Sequence, residues 1–279
     1  MPSTHGASPR RNRLPDWFGM RDPDTSPDPS TGALPVRVSE RDGVRFLHLG
    51  GSAVQSAMRL NAPFRLELEY TRAMMGFLLF QRNPRDIALI GLGGGSLAKF
   101  LHRRLPDSRV TAVEIHAGVI AAARDAFQLP PDDERLRVLL GDGTAFAREH
   151  PDSQDAVLVD CYGAEGIVEA FTEARFYRDC REMLRPGGVA VFNLWESDPG
   201  YRAHLERLAE VFAGHVLRLP AESKANVVAF AFRPPLPETG FAHLAGRAAR
   251  LEADHRLEFD DFLVRMGWCN PCSDSAFLV

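Results

Sequence analysis

Three carboxylates close short apolar runs in this chain. Glu114 ends Val110-Thr111-Ala112-Val113-Glu114, Asp142 sits in Gly141-Asp142-Gly143 after Leu136–Leu140, and Asp160 follows Ala156-Val157-Leu158-Val159. A fourth run, Ile87-Ala88-Leu89-Ile90, ends instead in Gly91-Leu92-Gly93-Gly94-Gly95 and passes into a helical pattern at Ser96. A glycine turn between a buried strand and a helix lets a ligand approach the backbone, and the helix N-terminus adds free N–H groups. Taken alone, the same turn also describes a helix packed tightly on its strand. Glu114 changes the balance, because it follows the last glycine by about twenty residues, the spacing at which a carboxylate grips two ribose hydroxyls. Gly91, Gly93, Gly95 and Glu114 therefore read as an adenosine site.

The other two acids extend that reading. Asp142, with Gly143, suits a contact to the exocyclic amine of adenine, and equally suits a turn aspartate bonding its own backbone. Asp160 would face the ligand crevice, where partial burial raises its pKa and fits it to accept a proton from an amine nucleophile. Its alternative is a loop- or helix-capping aspartate. Tyr162 walls the same pocket or belongs to the core.

Positioning these groups requires alternating strands and helices. The segment around Val36–Leu49 reads as a hairpin closed by Asp42-Gly43. Ser52–Asn61 is irregular and contains Gln55, and Leu66–Phe80 has helical spacing that carries Tyr70. The first two core strands precede a helix over Ala117–Phe127, then come strands at Leu136–Leu140 and Ala156–Val159. A helix at Glu173–Leu184, stopped by Arg185-Pro186-Gly187-Gly188, leads to a strand at Val189–Leu194. A helix at Tyr201–Phe212, strands at His215–Leu219 and Asn226–Phe232, and a helix at Gly240–Leu251 complete the pattern. The class is α/β: a Rossmann-like, mostly parallel seven-stranded sheet with an antiparallel edge hairpin, preceded by a short β-rich N-terminal segment. The expected division is a disordered arm over 1–34, hairpin and approach helix over 35–80, the Rossmann-like domain over 81–235, and a C-terminal helix and tail over 236–279.

Composition limits the partners. The chain has 279 residues, 45% hydrophobic and 25% charged, with a formal charge of -4, so a dedicated nucleic-acid binder is not expected. No apolar run has the length of a membrane span and no signal peptide is read, so the expected location is cytoplasmic. Cys161 and Cys180 read as buried small hydrophobes. Cys269-Asn270-Pro271-Cys272 has the local look of a redox pair, but at the tail and without further metal ligands. No histidine cluster is present, and no metal is expected.

From Val36 to Phe232 the chain resembles the polyamine aminopropyltransferase (spermidine synthase) family, a branch of the class I AdoMet-dependent methyltransferase fold. The pieces that carry the resemblance are Asp42-Gly43, Gln55-Ser56, Glu67 with Tyr70, the glycine turn, Val113-Glu114-Ile115 and Gly141-Asp142-Gly143. The block Phe171-Thr172-Glu173-Ala174-Arg175-Phe176-Tyr177, leading to Leu184-Arg185-Pro186-Gly187-Gly188, completes them. The resemblance implies that Gln55, Glu114 and Asp142 hold decarboxylated AdoMet, that Tyr70 binds the amine substrate, and that Asp160 is the catalytic acid opening the family's D-S-S-D-P motif. It also implies a small amine acceptor and, as is common in the family, a homodimer.

Three departures bear on the substrate. Gly94 replaces the Asp of G-G-G-D-G-G, Gly163 replaces the second Asp of D-S-S-D-P, and Leu66 replaces the first acid of D-E-x-x-Y. A carboxylate at position 94 would repel the carboxylate of intact AdoMet. Its absence keeps methyl transfer from AdoMet as a rival, beside a non-catalytic nucleoside- or polyamine-binding protein. Glu165, Glu169 or the pair Glu196 and Asp198 are candidates to restore negative charge.

Overall fold

Asp42 and Gly43 take positive φ, 52° and 74°, and fold β1 (Val36–Arg41) onto β2 (Val44–Leu49) with Arg41 opposite Val44. The structure, a computed structural model, describes residues 35–51, 53–163, 166–167, 171–222 and 226–279, with the backbone alone at 162–163 and 166–167. The expected arm over 1–34, Glu165, Glu169 and the Tyr162 side chain fall outside the described residues. The stretch read as irregular around Gln55 is a third strand, β3 (Val54–Arg59), antiparallel to β2. Its local signal is weak because Ser56, Ala57 and Met58 are all buried, so no period of two is visible in hydrophobicity.

The approach helix is shorter than its spacing predicts. α1 (Glu69–Met74) gives way to a 3-10 segment at Met75–Leu79. Gly76 lies there against the Phe230 ring, where a Cβ would stand 3.0 Å from the ring edge.

The core follows as β4 (Asp86–Ile90), α2 (Ser96–Arg104), β5 (Arg109–Glu114), α3 (Ala117–Asp125), β6 (Leu136–Leu140), α4 (Gly143–Glu149) and β7 (Gln154–Val159). Next come the two-residue strands β8 (Tyr162–Gly163) and β9 (Gly166–Ile167), then α5 (Ala174–Met183), β10 (Leu184–Trp195) and α6 (Tyr201–Val211). The chain closes through β11 (Val216–Pro220), β12 (Asn226–Phe232), α7 (Phe241–His255) and α8 (Phe259–Gly267). α4 and α8 were not expected. The first opens on Gly143, which reads as a turn. The second carries Phe259, Phe262 and Met266, all fully buried, on helical spacing. β10 begins earlier than Val189: Leu184 already pairs with Gln154, and an irregularity over Arg185–Gly188 separates it from the regular ladder.

The seven strands lie in the order β11-β12-β10-β7-β4-β5-β6. β4, β5, β6, β7 and β10 run parallel, and β11 and β12 form the antiparallel edge. Alternate residues serve opposite layers. Ile87 and Leu89 meet α2, α7 and α8 on one face, whereas Ala88 and Ile90 meet α4, α5 and α6 on the other. The chain winds outward from β4 in both directions, so the crevice of an open α/β sheet lies between the carboxyl ends of β4 and β7.

The N-terminal sheet is fastened over this end of the fold. Leu47, Leu49 and Met58 pack against Val119 and Phe127 of the α3 region. Lys99, wholly buried on α2, donates through Nζ to the Phe127 carbonyl at 2.6 Å; burial lowers its pKa to about 8.

Candidate active site

The glycine turn after β4 is fixed by close contacts. Gly91, Gly93 and Gly95 have φ of 93°, 53° and 71°, which side chains rarely tolerate. A Cβ on Gly91 would overlap the Asp160 carbonyl oxygen, so the ends of β4 and β7 touch only because residue 91 is glycine. Gly95 is the N-cap of α2 against Leu129, where a Cβ would lie 2.8 Å from a methyl carbon.

Glu114 ends β5 beside this turn and is 8% exposed. Its Oε2 accepts from the Leu92 N–H at 3.1 Å and its Oε1 from the His116 N–H at 2.9 Å. The carboxylate is thus held flat by two backbone donors, with lone pairs left on both oxygens. Asp142 is the N-cap of α4, its Oδ1 accepting from the Thr144 N–H and hydroxyl at 2.7 and 2.9 Å. Partial burial opposes its ionisation, but the Thr144 bonds and nearby Arg148 outweigh it and hold the carboxyl below its usual range. The capping reading of Asp142 is the observed one, and the same residue also lines the cavity. Gly143 brings α4 onto β4: a Cβ there would overlap the Ile90 side chain.

Asp160 is held differently. Its backbone N–H donates to the Ile90 carbonyl at 2.9 Å. Its Oδ2 accepts from the Tyr70 hydroxyl at 3.0 Å and its Oδ1 from Asn193 Nδ2 at 2.9 Å. Burial pushes its carboxyl up while the Asn193 and Tyr70 bonds pull it down, and burial wins. Burial and the adjacent Asp160 charge keep the Tyr70 phenol well above its ordinary range. Cys161 is half-buried in the cavity wall, not sealed in the core; its thiol donates to the Ile90 carbonyl at 3.1 Å. Burial with the charges of Asp160 and Glu114 keeps that thiol protonated.

These groups meet in one cavity of about 340 Å³. Gln55, Tyr70, Gly91, Gly93, Glu114, Asp142, Gly143 and Asp160 all line it, whereas Gly95 sits behind the turn. Glu67 is turned to Arg59 in an ion pair, and Asp198 accepts the Gly200 N–H at 2.7 Å. Neither they nor Glu196 reach the wall. The sequence reading passed over Asn193 and Trp195 on β10, and Leu47, Leu49 and Val54 from the N-terminal sheet, all of which line it. An asparagine inside the apolar run of β10 was the available signal for Asn193. Among the described residues, the lining holds Glu114, Asp142 and Asp160 and no lysine or arginine.

The Cys269–Cys272 motif lies at the sheet edge. Asn270 pairs with the backbone of Arg218, accepting its N–H at 2.7 Å and donating to its carbonyl at 2.6 Å. A side-chain amide there gives the edge strand β11 the partner that another strand would supply. Among the described residues no three His, Cys, Asp or Glu side chains gather as metal ligands, and no helix is long and apolar enough to cross a membrane.

The family model for the spermine/spermidine synthase domain matches residues 67–216. The polyamine aminopropyltransferase of Chromobacterium violaceum is 43% identical over 252 residues, covering 90% of this chain and 97% of the relative. The chain belongs to the spermine/spermidine synthase family. The polyamine aminopropyltransferase of Neisseria meningitidis serogroup A is 41% identical over 251 residues, with 89% and 95% covered. Among solved structures, a probable spermidine synthase from Corynebacterium glutamicum superposes with a TM-score of 0.64 at 21% identity, covering 78% of this chain and 83% of that one. Human methyltransferase-like protein 13 in complex with SAH gives a TM-score of 0.62 at 27% identity, covering 68% and 93%. The family's transferase fold is the one observed: a seven-stranded sheet with an antiparallel edge and a β-rich N-terminal sheet over the site.

Proposed function

We propose that this enzyme transfers an aminopropyl group from decarboxylated AdoMet to a polyamine-type small amine. The observation that carries the proposal is the charge of the cavity, three carboxylates with no lysine or arginine among the described lining residues. Both reactants are cationic, the donor at its sulfonium and amine and the acceptor at its amines, so such a wall attracts both. The volume lies in the range of small-molecule sites.

The assignment of roles follows from position. Glu114 takes the ribose hydroxyls on its remaining lone pairs, with Gly91, Gly93 and Gly95 forming the turn beside it. Gln55, Asp142 and Gly143 complete the nucleoside end, and Ile115, 62% exposed at the mouth, offers the purine an apolar face. Asp160 is the base. An acceptor amine is mostly protonated near pH 7 and attacks only as the free amine. As the new C–N bond forms, the C–S bond breaks and its electron pair stays on sulfur, which leaves as the neutral thioether methylthioadenosine. The proton lost by nitrogen passes to Asp160 and then to water. The raised pKa of Asp160 narrows the gap to the amine and so favours this transfer. Tyr70 and Trp195 flank the acceptor cation with aromatic surface, and Tyr162 is assigned to the acceptor from the sequence.

A second reading, methyl transfer from intact AdoMet, is favoured by Gly94. Glycine at that position brings no acidic side chain to repel the donor carboxylate. Calorimetric titration with decarboxylated and intact AdoMet separates the two. Tenfold tighter binding of the decarboxylated form, about 1.4 kcal/mol, with release of methylthioadenosine, is the expected result. Tighter binding of intact AdoMet with release of S-adenosylhomocysteine supports methyl transfer, and binding of neither removes both readings.

A further inference from the structure

We infer that Asn226 and Asn193 are positioning residues that keep Asp160 ready to accept a proton, through a chain of hydrogen bonds running from β12 through β10 to the end of β7. Asn226 Nδ2 donates to Asn193 Oδ1 at 2.9 Å. Asn193 Nδ2 in turn donates to Asp160 Oδ1 at 2.9 Å. Asn193 is 4% exposed, and Asn226 does not line the cavity, so Asn226 reaches the carboxylate only through its neighbour. The strand register makes this pairing possible: Asn193 faces Val228 across the antiparallel ladder, and Trp195 faces Asn226.

A primary amide has two unlike ends, an oxygen that accepts and a nitrogen that donates. An ionised carboxylate accepts only, so the nitrogen end must face it. A protonated carboxyl has a hydrogen to give and is satisfied equally by the oxygen end. Which end a buried amide presents therefore biases the protonation state of the acid beside it. Asn226 decides this for Asn193 by holding its oxygen from behind. Both Asp160 oxygens then meet donors, Asn193 on one side and Tyr70 on the other, which opposes the tendency of burial to neutralise the acid. The other titratable groups around Asp160 are Tyr70 from α1, Cys161 next in the chain and bonded to β4, and Glu114 at the end of β5. Asn226 is bonded to Asn193 and not to the carboxylate itself, so the influence of these groups persists when Asn226 is changed.

The bond chain is a feature of the fold itself, and only its consequence for turnover rests on the function proposed above. The test is a ¹³C NMR titration of aspartate carboxyl carbons in the full chain, with the Asp160 signal identified by its loss in Asp160→Asn. Asn226→Leu removes the donor at similar size and should raise the Asp160 midpoint by about one pH unit. The acid limb of the turnover profile should move with it, while affinity for methylthioadenosine is retained. Asn226→Asp keeps the shape but cannot donate when ionised, so it should shift the midpoint the same way if the leucine variant folds poorly. Asn226→Ser restores a hydroxyl donor and should recover part of the shift. An Asp160 midpoint that is unmoved or lowered in the leucine and aspartate variants overturns the inference. A raised midpoint in a protein that transfers no aminopropyl group upholds it and removes the proposed function instead.

Discussion

The two ends of the cavity are built on different principles. At the proposed nucleoside end, Glu114 is held by the N–H groups of Leu92 and His116, and Asp142 by Thr144 two residues on. Their donors come from backbone or from near neighbours in sequence. At the proposed acceptor end, Asp160 is held by Tyr70 and Asn193, ninety and thirty-three positions away, from α1 and β10. Backbone donors are set by strand and turn geometry and tolerate substitution of most side chains. Side-chain donors depend on several elements meeting correctly, and each is one mutation from loss. On the proposed reading, the nucleoside end is accordingly the less mutable platform, and the acceptor end is where chemistry and specificity can be tuned.

That contrast can be broken at either end, and the effects should differ in size. Asp160→Asn should lower turnover by about 10²–10⁴-fold while methylthioadenosine still binds, as read by steady-state kinetics beside calorimetry. In the wild type the rate should fall as pH drops through the raised pKa of Asp160, because only the ionised form accepts the proton. The stability sign is opposite. A raised native pKa means that the folded state holds a proton which the unfolded chain releases at lower pH, so above that pKa the buried charge costs stability. The Asp160→Asn variant should therefore melt higher than wild type at pH 7. A variant that keeps full turnover would mean that Asp160 is a structural acid.

Glu114→Gln should act next most strongly, and on binding. One carboxylate oxygen becomes an NH₂ that must confront the Leu92 or His116 N–H, donor against donor. Methylthioadenosine affinity should fall about tenfold or more, roughly 1.4 kcal/mol, and unchanged affinity would remove the ribose from this carboxylate. Asp142→Ala should have the smallest effect, a loss of about 1 kcal/mol in denaturant unfolding from the missing cap. If its nucleoside affinity also falls, the residue contacts the adenine. If affinity holds, capping α4 is its whole role.

Much of the frame was legible before the structure. The hairpin at Asp42-Gly43, the parallel core strands and the edge pair follow from turn residues and apolar runs, which are local signals. The misses have a common cause. β3 buries consecutive residues and shows no alternation. α4 begins on a glycine that reads as a turn, and that glycine is there because a Cβ would overlap Ile90. The Cys269–Cys272 motif, set aside as a redox pair for its place at the tail, has a role the sequence did not suggest: Asn270 pairs with the edge of β11.

The sequence by itself determined that the glycine turn and Glu114 lie side by side, because both are consequences of one βαβ unit. Only the tertiary structure joined Asp160 to its partners, since the three hydrogen bonds linking Tyr70, Asp160, Asn193 and Asn226 need four separate elements brought together. Spacing along the chain carries no record of which distant side chains will share a carboxylate; packing of strand on strand does.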